Sequence, residues 1–178
     1  MLAGGVAGTG DTLAFPDGSD YTITASAGET GGSFVEMEIL LPPKAVTPPL
    51  HVHPKQEEDF EVLAGSLDVH FEGQWMRLPE GESMMIRRGE PHAFRNSSGL
   101  RVRVRNVHRP ALGFQDYVEE LHSLAIEGKI KSFTDASSLM TLARLYEKYE
   151  DTIEPAKFGQ RAVMGSSRAL GDASVSAR

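Results

Sequence analysis

The hydrophobic spacing of the chain changes period once, near residue 110, and that change restricts the fold more than any other feature of the sequence. Before it, apolar residues recur at every second position in short runs, the signature of half-buried strands. Ser33–Leu41 places Phe34, Glu36 and Glu38 on one face and Val35, Met37 and Ile39 on the other. Leu67, Val69 and Phe71 alternate with Ser66, Asp68 and His70. That strand stops at Glu72-Gly73 and resumes over Gln74–Leu78, which predicts a hairpin. Leu50–His53, Phe60–Leu63, Met84–Ile86, Pro91–Phe94 and Arg101–His108 complete the set, with breaks at Pro42-Pro43, Pro48-Pro49 and Ala64-Gly65. Strands this short, repeated every ~8–12 residues, predict a mainly β chain folded as an antiparallel barrel or sandwich.

From Ala111 the period is that of a helix. Phe114, Tyr117, Val118, Leu121, Leu124 and Ala125 form one apolar stripe, with Gly128 placed to end it. Leu139, Leu142, Leu145, Tyr146 and Tyr149 form a second, with Thr134, Ser137 and Ser138 available as caps. A third, shorter helix is expected after Pro155. The domain reading is a β barrel over residues 1–110, a helical extension over 111–165 packed on the barrel or on a dimer partner, and a flexible tail over 166–178 rich in Ser, Ala, Gly and Arg. No internal repeat is present, so a single barrel is expected.

Several function classes fall away on composition. The chain has no cysteine, which excludes disulfides, thiolate metal ligands, iron–sulfur ligation and cysteine nucleophiles, and removes the main argument for secretion. No apolar run approaches the roughly 18–20 residues that span a bilayer, and Met1–Gly10 lacks the basic and apolar regions of a signal peptide. A cytoplasmic protein without a membrane partner is expected. The net charge of −7 is unevenly spread: residues 1–76 hold twelve acids against two lysines, and residues 77–109 hold eight arginines against three acids. Arginines so outnumbered by acids in one domain do not make a nucleic-acid face. Arg101, Arg103 and Arg105 share one face of their strand, which is either a solvated outer face or a stripe that receives carboxylates from Glu119, Glu120 or a second subunit.

The residues that carry chemistry are His51, His53, Glu58 and His92. Histidines at i and i+2 of a strand point the same way, roughly 7 Å apart at the backbone, so two imidazoles can converge on one ion. Glu58 lies five residues on, past Pro54, where a turn can return its carboxylate; His92 begins another strand and closes the set from across the barrel. Three imidazoles and a carboxylate suit iron, manganese, nickel, copper, cobalt or zinc, whereas calcium and magnesium prefer oxygen cages. Glu57 is the competing carboxylate; Glu58 is preferred because it shares strand parity with Phe60 and Val62 and because six residues separate it from Gly65. His70, His108 and His122 are assigned no role: His122 is read as solvated, and His108, though it shares parity with Val102 and Val104, as the end of its strand.

In this pattern the sequence resembles the cupin superfamily. The family's first motif reads here as Ala45, His51, His53, Glu58 and Gly65, and its second as Gly81, Arg87-Arg88-Gly89, His92 and Asn96. Ala45 stands for the usual Gly and Arg87 for the usual Pro, both turn positions, and the ligand set is whole. The resemblance covers roughly residues 33–108 and implies an antiparallel double-stranded β-helix, the jelly-roll or cupin barrel, followed by C-terminal α-helices. It also implies that Glu58 can take a proton from a bound substrate hydroxyl. Met37, Phe60, Val62, Ile86 and Phe94 are the expected pocket residues. The first functional reading is a metal-dependent enzyme of dioxygenase type acting on a small oxygenated or aromatic molecule. A non-redox isomerase, decarboxylase or lyase, and a binding module without turnover, are the alternatives. A homodimer is expected, because an exposed apolar helix stripe needs a cover.

Overall fold

A computed structural model describes residues 6–45 and 47–156. Alternation of apolar and polar residues becomes alternation of burial: over Val35–Leu41, Val35, Met37, Ile39 and Leu41 are buried and the residues between them are not. In chain order the strands are β1 (Thr12–Ala14), β2 (Asp20–Ala25), β3 (Val35–Leu41), β4 (His51–Val52), β5 (Glu57–Ala64), β6 (Ser66–Phe71), β7 (Gln74–Pro79), β8 (Ser83–Ile86), β9 (His92–Arg95), β10 (Val102–Arg109) and β11 (Glu154–Pro155). Two helices, α1 (Phe114–Ile126) and α2 (Leu139–Lys148), lie between β10 and β11. One sheet runs β1-β2-β3-β10-β5-β8 and the other β11-β4-β9-β6-β7, with all pairings antiparallel. This is the expected double-stranded β-helix.

The predicted hairpin joins β6 to β7 with Phe71 opposite Gln74. Its two turn residues, Glu72 and Gly73, have φ of 49° and 80°, the pair of positive values that a type I′ turn demands. The β1–β2 hairpin was not legible. Its alternation is short and lies in a polar stretch, and only Leu13 and Ile23 of the two strands are buried.

The helices cover their own barrel. From α1, Phe114, Tyr117, Val118 and Leu121 enter the same hydrophobic cluster as Met37, Phe60 and Val104, and from α2 Leu142 and Leu145 do so. The stripe that argued for a second subunit is therefore packed within the chain. Gly128, at φ 71°, ends α1 as expected. Capping of α2 differs from expectation. Ser138 occupies the cap position, but its Oγ accepts from the Lys131 amide at 2.9 Å and donates to Asp135 at 3.2 Å, so it ties the preceding loop together. Where a helix was expected to follow Pro155, Glu154-Pro155 pairs with β4; residues 157–178, which include the rest of that expected helix and the expected tail, lie outside the described residues.

The arginine stripe finds its acids on neighbouring strands. Arg105 binds Glu36 of β3 at 2.8 Å and Glu61 of β5 at 3.1 Å, and Arg103 lies 3.6 Å from Glu38 of β3. Glu119 and Glu120 are engaged elsewhere: Glu119 accepts from Gln115 and the Ala7 amide, and Glu120 from Lys148 and Tyr149. The cross-strand register, Arg105 opposite Glu38 and Glu61, places carboxylates beside the guanidinium before any helix residue can reach it.

Candidate metal centre

Three strand segments supply the centre. Pro48-Pro49 breaks the chain just before β4, leaving a strand of two residues whose His51 stands directly opposite His92 of β9. Glu58 enters from β5 of the other sheet, opposite Ile86 and His108. The side chains of His51, His53, Glu58 and His92 are all buried, and one potential ligand atom from each lies within 4.8 Å of every other. Glu57, the rejected alternative, is half-buried on the opposite parity.

Each imidazole is held by its far nitrogen. His51 Nδ1 lies 2.8 Å from the Pro49 carbonyl, His53 Nδ1 2.6 Å from that of Thr152, and His92 Nδ1 2.9 Å from that of Glu90. A carbonyl only accepts, so each Nδ1 carries a hydrogen and each ring turns its Nε2 inward. His53 Nε2, His92 Nε2 and Glu58 Oε2 are buried without a hydrogen-bond partner. Yet Glu58 Oε2 stands 2.6 Å from His92 Nε2 and 3.3 Å from His53 Nε2. Acceptors crowded together in this way need a cation among them, either a proton on an imidazole or a metal ion. The donor set, three nitrogens and an oxygen with pinned orientations, fits a divalent transition metal.

Electrostatics agree with that geometry. Burial pushes the Glu58 carboxyl up, but the facing imidazoles of His108 and His92 outweigh it and hold the group well below the usual carboxylate range. Burial, with His92 and His53 adding to it, holds His51 well below its ordinary value and so neutral. Burial lowers His92 as well, but the Glu58 carboxylate more than compensates and raises it.

Behind the four clustered side chains lies a layer that the sequence reading missed. Asn106 Nδ2 donates to Glu58 Oε1 at 2.8 Å. His108, assigned no role, is buried: its Nε2 is 3.0 Å from Asn106 Oδ1 and 3.4 Å from Glu58 Oε1. Burial pushes His108 down to about 4, so its ring is neutral, and it stacks on Phe114 with centroids 3.4 Å apart. The parity of Val102 and Val104 was the available signal, and it extends to both Asn106 and His108. His122 is also not solvated: it is half-buried, with Nε2 3.1 Å from the Ala14 carbonyl and its ring edge on Phe15.

A cavity of about 30 Å³ abuts the cluster, walled by Tyr21, Asn106, Phe114 and Tyr117 among others. Of the expected pocket residues, Phe94 lines it, whereas Met37, Phe60, Val62 and Ile86 are packed in the hydrophobic core.

The family model for the cupin domain matches residues 37–108. A curated relative, tetracenomycin polyketide synthase protein TcmJ of Streptomyces glaucescens, is 32% identical over 97 residues, which are 52% of this chain and 63% of that protein. The match thus spans less than two thirds of the relative's length. Similar solved structures include a predicted oxalate decarboxylase from Thermotoga maritima (19% identity, 52% of this chain and 80% of that one, TM-score 0.49). Another is KdgF from a Halomonas species (18% identity, 56% of this chain and 86% of that one, TM-score 0.49).

Proposed function

Because the chain belongs to the cupin superfamily through the barrel that carries residues 37–108, we propose that it is a metal-dependent enzyme of dioxygenase type acting on a small oxygenated or aromatic molecule. The observation that carries the reading is the set of unpartnered His53 Nε2, His92 Nε2 and Glu58 Oε2 in one buried cluster whose outer nitrogens are all pinned. A divalent transition ion held by His51, His53, Glu58 and His92 supplies Lewis acidity toward a substrate oxygen and, when redox-active, one-electron chemistry with dioxygen. With one carboxylate in the set, the site favours an anionic enolate, hydroxy-ketone or phenolate. The likeness to a polyketide synthase protein adds polyketide-derived rings, which bear such oxygens, to the substrate classes.

Glu58 takes the proton of a substrate hydroxyl at Oε2, while Asn106 fixes the carboxylate by its grip on Oε1. The apolar walls, Phe94 and Phe114, keep bulk water from that proton. A second reading, non-redox isomerisation, decarboxylation or lyase chemistry, is favoured by the buried His108, whose Nε2 lies 3.4 Å from Glu58 Oε1, in reach for passing a proton.

The first test is metal analysis of the protein and of the His51→Ala/His92→Ala variant after reconstitution. About one transition metal per chain, lost in the variant, is expected; no metal in either leaves a binding module without metal chemistry. Oxygen uptake with a panel of flavonol, 1,3-diketone and catechol then separates the readings. Turnover that persists without oxygen, or with zinc, selects the non-redox one. We also propose a homodimer, now resting on Trp75 and Met76 exposed on β7, at the end of its sheet. A 19 kDa particle by light scattering would reject it.

A further inference from the structure

The cavity beside the ligand cluster, about 30 Å³, has room for little more than an ion and a water, so the body of any substrate must lie elsewhere. Two larger hollows border it. One, about 430 Å³, is an open groove walled by His70, Trp75, Ala93 and Arg95. His70 pairs with Ala93 and Trp75, whereas the inward pairs are Val69 with Phe94 and Phe71 with His92. His70, Trp75, Ala93 and Arg95 therefore line that groove from the outer face of its sheet, and it shares only Pro48 and Phe94 with the ligand cavity.

The other hollow, about 320 Å³, is lined by Phe15, Tyr21, Leu121, Ala125, Lys131 and Phe133 among others. Tyr21, Pro48 and Leu121 line both this chamber and the ligand cavity, so these three side chains form the wall that the two share. Its walls come from the β1–β2 hairpin, from α1 and from the loop after Gly128, nearly all of it outside the segment that matches the cupin domain. A chamber of this size lies near the lower end of the roughly 300–1,000 Å³ that small-molecule sites occupy. The lining is mostly apolar and aromatic. Phe15 and Tyr21 stand 5.1 Å apart, tilted; besides Tyr21, the polar residues of the lining are Asp17 and Ser19, which bond each other, and the exposed Lys131 with Ser132.

On the footing of the function above, we propose that this chamber holds the body of a planar hydroxy-aromatic substrate, whose oxygens reach the His51–His53–Glu58–His92 cluster past Tyr21, Pro48 and Leu121. The aromatic walls select flat ring systems. Substrate choice then resides in segments added to the barrel, not in the ligands.

The test is calorimetric titration of the flavonol quercetin into the full chain, metal-free and zinc-loaded. Ala125→Trp and Ser132→Trp fill the chamber from two sides, and Trp75→Ala alters the outer groove. We expect saturable one-site binding that weakens by about tenfold or more in both chamber variants, with zinc stoichiometry kept, and is unchanged in Trp75→Ala. Wild-type affinity in both chamber variants, loss in Trp75→Ala instead, or no saturable binding to the zinc-loaded wild type would each overturn the proposal. The two readings fail separately. Quercetin held in the chamber by a protein that takes up no metal keeps the chamber and removes the enzyme. Zinc held by His51 and His92 with quercetin indifferent to the chamber variants does the reverse.

Discussion

Asn106 shows how much of a buried site depends on residues that touch no ligand. Its amide donates to Glu58 Oε1 and its carbonyl faces His108 Nε2, so one side chain sets the position of two ionisable groups. Replacing Asn106 by Leu keeps the volume and leaves a buried carboxylate short of a donor. Metal affinity should fall roughly 10–100-fold, the usual effect of losing such a partner, and stability by about 1–3 kcal/mol. Competition with a chromogenic chelator measures the first and thermal unfolding the second; affinity within twofold of wild type would release Asn106 from this role. At this scale the sequence was legible where a residue type is rare for its place: two histidines on one strand face, a third after Pro91, a carboxylate of the right parity. What holds those rings was not legible. Their Nδ1 partners are main-chain carbonyls, which every residue has, and one of them belongs to Thr152, ninety-nine positions from His53.

Two element-scale features make contrasting predictions. The turn between β5 and β6 depends on Gly65, whose φ is 84° and whose added Cβ would meet the Arg101 carbonyl at 3.2 Å and Val102 Cγ2 at 3.4 Å. Gly73, at φ 80° in the β6–β7 turn, has nothing within 4 Å of that position. Both Gly→Ala changes carry backbone strain of about 1–2 kcal/mol, and only Gly65→Ala adds a clash with main chain. Urea unfolding should therefore place Gly65→Ala clearly below Gly73→Ala, and equal losses would dismiss the clash. The arginine stripe supplies the second case. Burial raises the Glu36 carboxyl, but hydrogen bonds from Arg105 and Thr24 outweigh it and lower the group below its ordinary 4.5. A carboxylate lowered in the folded state stabilises above its unfolded value, and that contribution fades as pH falls through the folded one. Arg105→Met should thus cost no more than about 1 kcal/mol near neutrality, given solvent screening, and the two stability curves should converge on acidification. Parallel curves would show that the pair is electrostatically idle. Alternation in the sequence located this strand's faces; the partners depended on sheet order, which places β10 between β3 and β5 and which no local pattern states.

At the scale of the molecule, the boundary read at residue 110 separates periodicities more than it separates structures. The described residues after it contribute to three things that the barrel needs. Phe114, Tyr117, Val118 and Leu121 enter its hydrophobic cluster, Glu154-Pro155 pairs with β4, and the Thr152 carbonyl orients His53. Gln56, fully buried before β5, donates to the carbonyls of Pro110 and Ala111 and fixes the point where strand gives way to helix. Burial of four such side chains contributes roughly 1.5–3 kcal/mol each, which is comparable with the entire stability of an ordinary domain. A chain ended after residue 110 should accordingly show no cooperative thermal transition and should bind the hydrophobic dye that reports loose cores, although it retains all four side chains of the candidate metal centre. Cooperative unfolding of that piece, with one metal per chain, would establish the barrel as independent and the helices as an attachment. Loss of both would make the helical segment part of the machinery that builds the centre, which is why a motif of four residues needs far more chain than the motif itself.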